Sequence, residues 1–285
     1  MSVVGDDMGQ FPTFDNPETQ AFTAARQRFL RDFLAGIKHK MELSTAVDVG
    51  CGLGDFSRFL ADQGFKVIGL DGREENVKEA VRRYGDLTFL TFDAENLPTK
   101  DLGMFDFVLC FGLLYHLENP FRTIRSLYAL TAKILLVEGI CLPESSPAMA
   151  LMDEFPAGNQ ALNYVAFYPS PSCLVKMLYR AGFPYVYSFR KPPDFHLYRA
   201  SATRKRERSI LAASRFALEL PNVIAEKDVL NLVSSPSDPW TTAFSRIRSN
   251  KLVDFTSVRF PRFLKRPWSE KREIVYWYLN KSNRK

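Results

Sequence analysis

The stretch TAVDVGCGLGD, residues 45–55, decides the fold. It begins as a short apolar run, breaks into glycines at 50, 52 and 54, and opens into the amphipathic segment DFSRFLADQG (55–64). There Phe56, Phe59 and Leu60 share one face and Gly64 closes the end. Such a change of period reads as a buried strand, a tight turn and a helix. The same alternation continues downstream. KVIGLDG (66–72) is a second strand, followed by a helix with Val77, Ala80, Val81 and Tyr84 at i, i+3, i+4 and i+7. LTFLTFDA (87–94) and FDFVLCFG (105–112) are the third and fourth strands. Asn119-Pro120 opens a helix carrying Phe121, Ile124, Leu127 and Tyr128, and KILLVEGI (133–140) is a fifth strand. Ser170-Pro171 opens another helix, with Leu174, Met177, Leu178 and Ala181, ended by Gly182. YVYSFRK (185–191) and RERSILAASR (206–215) supply the sixth and seventh strands. Upstream, Asn16 caps a helix from Pro17 to Ile37 with Phe22, Phe29, Phe33 and Ile37 on one side.

Strands that are apolar throughout, alternating with helices, predict a sheet covered on both faces. The fold class is α/β: a Rossmann-like, seven-stranded, mostly parallel, doubly wound sheet. The expected organisation is an N-terminal helical cover (1–44), the sheet domain (45–215) and a basic C-terminal appendage (216–285). Residues 141–170 show little periodicity and are expected to run over the mouth of the sheet. They bring Met152, Asp153, Glu154, Phe155, Asn163, Tyr164 and Tyr168 to it as candidate ligand contacts.

Composition bounds the alternatives. A chain of 285 residues, 46% hydrophobic and 25% charged, can bury a sizeable core and is neither disordered nor fibrous. No apolar run approaches the ~18–20 residues of a transmembrane segment. The acidic, proline-broken first twenty residues do not read as a leader, so a soluble, cytoplasmic protein is expected. Cysteines at 51, 110, 141 and 173 and histidines at 39, 116 and 196 show no metal-ligand spacing, and no metal is expected. The net charge of +6 is uneven: residues 201–285 hold 18 Lys+Arg against 8 Asp+Glu. In the tail, Arg259, Arg262, Lys265, Arg266, Lys271 and Arg272 interleave with Phe260, Phe263, Trp268, Tyr276, Trp277 and Tyr278. That mixture suits RNA or an anionic glycan or lipid, and equally a solvated face.

The turn Asp48-Val49-Gly50-Cys51-Gly52-Leu53-Gly54 has the freedom to approach a ligand closely. A dinucleotide fingerprint would place its third glycine at 55, where this chain has Asp55. A carboxylate there opposes a pyrophosphate, so a ligand with a cationic centre and no phosphate fits better, and a nicotinamide dehydrogenase is disfavoured. Asp71, 21 residues after Gly50, ends the second strand where an acid accepts from ribose hydroxyls. Asp93-Ala94, after the third strand, is placed to accept from an adenine amino group while an apolar neighbour packs on the ring.

These residues, from Thr45 to about Ile140, resemble the class I S-adenosylmethionine-dependent methyltransferases. The resemblance implies S-adenosyl-L-methionine as the cofactor. Asp48, Gly50, Gly52 and Gly54 would surround its methionine portion, Asp71 its ribose, and Asp93 with Ala94 its adenine. It implies methyl transfer, O-directed, to a small-molecule, saccharide or RNA acceptor. The segment after the fourth strand, FGLLYHLENP (111–120), lacks both the Asn/Asp-Pro-Pro-aromatic motif of amine-directed enzymes and the Pro-Cys nucleophile of cytosine-C5 enzymes. His116 and Glu138 are candidate general bases. A narrower resemblance, carried by GLLYHLENP, FYPSPSCLVKMLYRAGF and RERSILAASR, is to the tRNA wobble-uridine carboxymethyltransferases. It implies carboxy-S-adenosyl-L-methionine as an alternative donor, with Tyr115 and Arg208 at its carboxylate. That family's long N-terminal extension is replaced here by one short helix. A non-catalytic adenosine-ligand binding module with a partner-binding tail is the alternative from another class.

Overall fold

The computed structural model describes residues 12–153, 162, 165–199 and 206–228. Its main sheet is built first from β1 (Thr45–Val49), β2 (Lys66–Asp71), β3 (Thr88–Thr91), β4 (Phe105–Phe111) and β5 (Thr131–Cys141), all parallel to one another. β8 (Tyr185–Phe189), β9 (Glu207–Ser214) and β10 (Val223–Ala225) add antiparallel pairs at the β5 side, giving the order β10-β8-β9-β5-β4-β1-β2-β3. The chain therefore winds outward in both directions from β1 and β4. The seven expected strands are present in a mostly parallel sheet. An eighth, β10, extends the sheet to Ala225, beyond the expected boundary at residue 215.

The period of two in each strand divides the core into two layers. Val47, Val49, Val108, Cys110, Leu135 and Val137 face α6 (Pro120–Leu130) and α7 (Pro171–Ala181). Ala46, Phe107, Leu109, Ile134 and Leu136 face α2 (Pro17–Lys38) and α3 (Asp55–Asp62). α2 is thus a full structural layer: Phe29, Leu30, Phe33, Leu34 and Ile37 are all buried, each contributing roughly 1.5–3 kcal/mol. Its start is fixed chemically, since Asn16 Oδ1 accepts from the Thr19 amide at 2.9 Å and Pro17 occupies the first helical position. Ser170 caps α7 in the same way, accepting from Cys173 N at 3.2 Å. α4 (Glu74–Arg83) follows β2, and a short α1 (Pro12–Asp15) precedes α2.

The insertion holds more order than its weak periodicity suggests. β6 (Met149–Asp153) and β7 (Val165–Pro169) pair antiparallel as a separate two-stranded sheet. Each strand is only five residues long, too short for alternation to stand out. Glu154, Phe155, Asn163 and Tyr164 lie outside the described residues, as do residues 229–285 with the basic tail. Among the described residues no helix is long and apolar enough to cross a membrane.

Candidate functional site

The C-terminal ends of β1, β2, β3 and β4 converge on the glycine turn. Gly50 N and Cys51 N both donate to Leu70 O, at 2.8 and 2.9 Å, tying the turn to β2. Gly50, Gly52 and Gly54 have φ of 79°, 54° and 89°, left-handed values that glycine adopts without steric cost. Asp48 lies beneath the turn. Its carboxylate is buried and accepts from Ser57 Oγ at 2.8 Å, bracing β1 against α3. Burial pushes its pKa up to about 7, against the lowering effect of the Ser57 hydrogen bond.

Asp71 ends β2 beside the turn and is held by three donors. Gly52 N donates to Oδ2 at 2.9 Å, while Arg73 N at 2.9 Å and Asn76 Nδ2 at 3.1 Å donate to Oδ1. A carboxylate offers about four acceptor positions, so among the described residues Oδ2 keeps room for a hydroxyl donor. Asp93 caps the 3-10 turn Ala94–Asn96, accepting from Glu95 N at 2.9 Å and Asn96 Nδ2 at 2.6 Å. Ala94 is buried, and its carbonyl accepts from Thr123 Oγ1 of α6 at 3.3 Å. Apolar side chains line the turn: a Cβ on Gly50 would come within 2.9 Å of Leu113, and one on Gly52 within 2.8 Å of Phe14 from α1. One on Gly72 would come within 2.9 Å of Leu162 from the insertion.

Past β4 the chemistry changes. Gly112 N donates to Glu138 O at 2.9 Å, and Leu114–His116 forms a 3-10 turn. The Tyr115 ring packs 4.1 Å from His116 and 6.0 Å from Tyr168 of β7. Glu138, fully buried on β5, pairs with Arg208 of β9 at 2.8 Å and with Arg26 of α2 at 3.3 Å. Arg208 also donates to Tyr115 Oη at 3.2 Å. Burial alone would raise the Glu138 pKa, but Arg208 and then Arg26 outweigh it and hold the carboxyl below its usual value. Glu138 thus anchors two guanidiniums. His116, the other candidate base, lies on the post-β4 turn.

The structure thus gathers Tyr115, Glu138 and Arg208 on one side of β4, and Gly50, Gly52, Asp71, Asp93 and Ala94 on the other. Sequence reasoning missed Arg26. Its signal was a charge inside an apolar helical stripe, four residues after Phe22 and four before Leu30. Cavities of about 420 Å³ and 330 Å³ lie elsewhere: one between α1, α2, α3 and α4, lined by Gln27, Arg31, Asp55 and Tyr84, the other at the start of α6. Asp71 does not line the first.

Residues 47–133 match the family described as "Methyltransferase domain". The ubiquinone biosynthesis O-methyltransferase of Caulobacter vibrioides is 33% identical over 143 residues, which are 47% of this chain and 54% of that protein. That of Bordetella avium is 34% identical over 89 residues, 30% of this chain and 36% of that protein. The matches thus span about half the length of these relatives or less. Among solved structures, the N-terminal domain of EvdMO1 with S-adenosylhomocysteine bound aligns with TM-score 0.56 at 22% identity, covering 66% of this chain and 80% of that one. The [4+2]-cyclase SpnF aligns with TM-score 0.51 at 19% identity, covering 70% and 84%. At these identities the structures share the fold.

Proposed function

Starting from a class I S-adenosylmethionine-dependent methyltransferase domain at residues 47–133, we propose that this protein transfers a methyl group to an oxygen of a small-molecule acceptor. The observation that carries this is the Asp71 carboxylate, fixed by Gly52 N beside a turn of left-handed glycines, with an open acceptor position on Oδ2. That donor set fits an adenosyl ligand with free ribose hydroxyls. Asp55, hydrogen-bonded by Tyr84 Oη at 2.8 Å, stands at the start of α3 where a pyrophosphate would need bare amides. S-adenosylmethionine, when bound, supplies an electrophilic methyl on a sulfonium.

The chain's part is then positional. Asp71 orients the ribose, Asp93 and Ala94 the adenine, and the apolar cover of Phe14, Leu113 and Leu162 keeps water from the turn. Most of the acceleration comes from holding acceptor oxygen and methyl carbon collinear at about 3 Å. His116 takes the acceptor's proton where transfer requires it. The oxygen preference is supported by the names of the two bacterial relatives.

A second reading, carboxymethyl transfer, draws support from one contact: Tyr115 and Arg208 meet at 3.2 Å. Against it, the Arg208 charge is already taken up by Glu138. Side-by-side turnover with S-adenosylmethionine and its carboxy derivative separates the two. A partner-binding role of the basic tail is a further proposal. It predicts tRNA binding that falls steeply with salt and is lost on deleting 229–285, a cut placed after β10.

Asp71→Ala should weaken S-adenosylhomocysteine binding at least a hundredfold by calorimetry, with the circular dichroism spectrum unchanged. Wild-type affinity in that variant would overturn the ribose assignment. Labelled donor incubated with fractionated extract should mark the small-molecule fraction. Label confined to ribonuclease-sensitive material would replace the acceptor class with RNA, and donor binding without any turnover would leave a binding module.

A further inference from the structure

The cavity of about 420 Å³ between α1, α2, α3 and α4 shares a wall with the glycine turn: Phe14 lines it and also packs against Gly52. Its volume lies within the ~300–1,000 Å³ of ligand pockets. None of Asp71, Asp93 and Ala94 lines it, so it is separate from the donor residues described above. Six ionic side chains do. Four of them are matched, Asp15 with Arg83 at 2.7 Å and Arg58 with Asp62 at 2.8 Å. The other two are Arg31 and Asp55, and neither has an ion-pair partner among the described residues. Asp55 Oδ1 accepts from Tyr84 Oη at 2.8 Å, while Oδ2 accepts no hydrogen bond among the described residues. The cavity thus holds one cation and one anion that the protein leaves unmatched.

α2 and α3 set the spacing of those two charges. Gln27 Nε2 donates to Asp55 O at 3.2 Å, and one turn further along both helices the Arg31 guanidinium carbon lies 5.7 Å from the Phe59 ring centroid. The helices therefore run side by side in the same sense, and Arg31 stands one turn, about 5.4 Å, beyond Asp55. Opposite charges that are offset in this way, and do not pair directly, complement a ligand with an ammonium and a carboxylate on one carbon. A simple anion would satisfy Arg31 and be repelled by Asp55, and a simple cation the reverse. A guanidinium holds a carboxylate through two parallel hydrogen bonds. The apolar part of the lining is largely aromatic, from Phe14, Phe59 and Tyr84, and suits a ring.

We propose that this cavity is an effector site for a free aromatic α-amino acid. Arg31 takes its carboxylate, Asp55 its ammonium, and Phe14, Phe59 and Tyr84 surround its ring. A ring packed on Phe14 holds α1 against Gly52, so occupancy and donor binding favour the same position of α1. Each ligand then tightens the other by one common factor.

Calorimetry on the full chain tests this with L-phenylalanine as the probe. The comparison ligands are 3-phenylpropanoate, which lacks the ammonium, and phenethylamine, which lacks the carboxylate. Phenylalanine should bind at least tenfold tighter than either. Arg31→Met should erase the preference over phenethylamine, and Asp55→Asn the preference over 3-phenylpropanoate. Arg31→Lys, which keeps the charge, should restore part of the first, a result that mere packing would not give. Arg31 is exposed, and Asn at 55 still accepts from Tyr84 Oη, so both variants keep the fold; melting temperature is followed for each. Phenylalanine should also raise S-adenosylhomocysteine affinity two- to fivefold, with the same factor in reverse. Equal binding of phenylalanine and its truncated analogues, or binding of none, overturns the amino-acid assignment. Displacement of phenylalanine by S-adenosylhomocysteine would put it in the donor pocket and overturns the separate site. Donor affinity indifferent to phenylalanine overturns the effector role. Failure of the methyl-transfer reading is seen separately, as absence of S-adenosylhomocysteine binding to the wild type, and leaves the phenylalanine preference to be read by itself.

Discussion

On the β1–β3 side of β4, Asp71 and Asp93 receive backbone amides and asparagine side chains; on the β5–β9 side, Glu138 is bracketed by two guanidiniums. The first arrangement orients carboxylates and leaves their charge uncompensated by any described ion pair, which suits hydroxyl and amino donors on a ligand with a cationic centre. The second compensates the carboxylate twice over and leaves a surplus of positive charge. One sheet thus presents two chemically opposite halves.

The largest effect that separates the halves is on stability. Glu138→Ala removes the anion between the buried Arg26 and the half-buried Arg208 and should cost on the order of 3–5 kcal/mol in denaturant unfolding. Asp93→Ala removes a turn cap and should cost about 1 kcal/mol. Equal costs would mean the arginine cluster is solvated, and the contrast between the halves would collapse.

The halves also differ in how far the sequence discloses them. The β1–β3 side is readable because its parts are local: a strand, a glycine turn and a helix within twenty residues, then one acid at each following strand end. Torsional constraint and strand spacing leave few alternatives there. Arg26, Glu138 and Arg208 are separated by 112 and 70 residues, and only the packing of α2 and β9 on the sheet joins them. In the sequence Arg208 stands in a basic run with Arg204, Lys205 and Arg206, a pattern that a solvated surface also produces, and Glu138 at a strand end has the pattern of a base. What turns both into an ion cluster is burial, a tertiary quantity. β10 and the β6–β7 hairpin escaped for a related reason, since strands of three to five residues carry too few alternations to register.

Asp48 offers an intermediate effect, felt through pH. Its folded pKa of about 7 lies above the ordinary 3.8, so the folded state binds its proton more tightly than the unfolded chain does. The stability it contributes is therefore full below pH 3.8 and is lost as pH rises toward 7, a change of a few kcal/mol. Ser57, Asp71, Asp55 and Arg26 are the groups acting on it. Asp48→Asn should flatten unfolding free energy between pH 4 and 7 relative to wild type. An unchanged slope would show that Asp48 stays ionised, with the surplus charge of Arg26 offset from the donor side.

The smallest expected effect tests whether the cover over the donor side acts independently of the cationic side. Asn16 joins α1 to α2: Oδ1 accepts from Thr19 N at 2.9 Å while Nδ2 donates to Thr13 O at 3.2 Å. Asn16→Ala should cost about 1 kcal/mol of cap energy. α1 carries Phe14 onto Gly52, and Asp15 pairs with Arg83 of α4 at 2.7 Å, so loosening the junction frees one edge of the donor's apolar cover. S-adenosylhomocysteine affinity should then fall by about two- to fivefold, the part of the cap energy that the remaining Asp15–Arg83 contact does not retain. The unfolding cost of Glu138→Ala should be the same with or without Asn16→Ala, because Arg26 sits nearly three turns further along α2, held there by Phe22, Thr23 and the β5 residue Glu138. A cost that changes in the double variant would mean that α2 moves as a rigid body with its cap, and that the two halves are mechanically one.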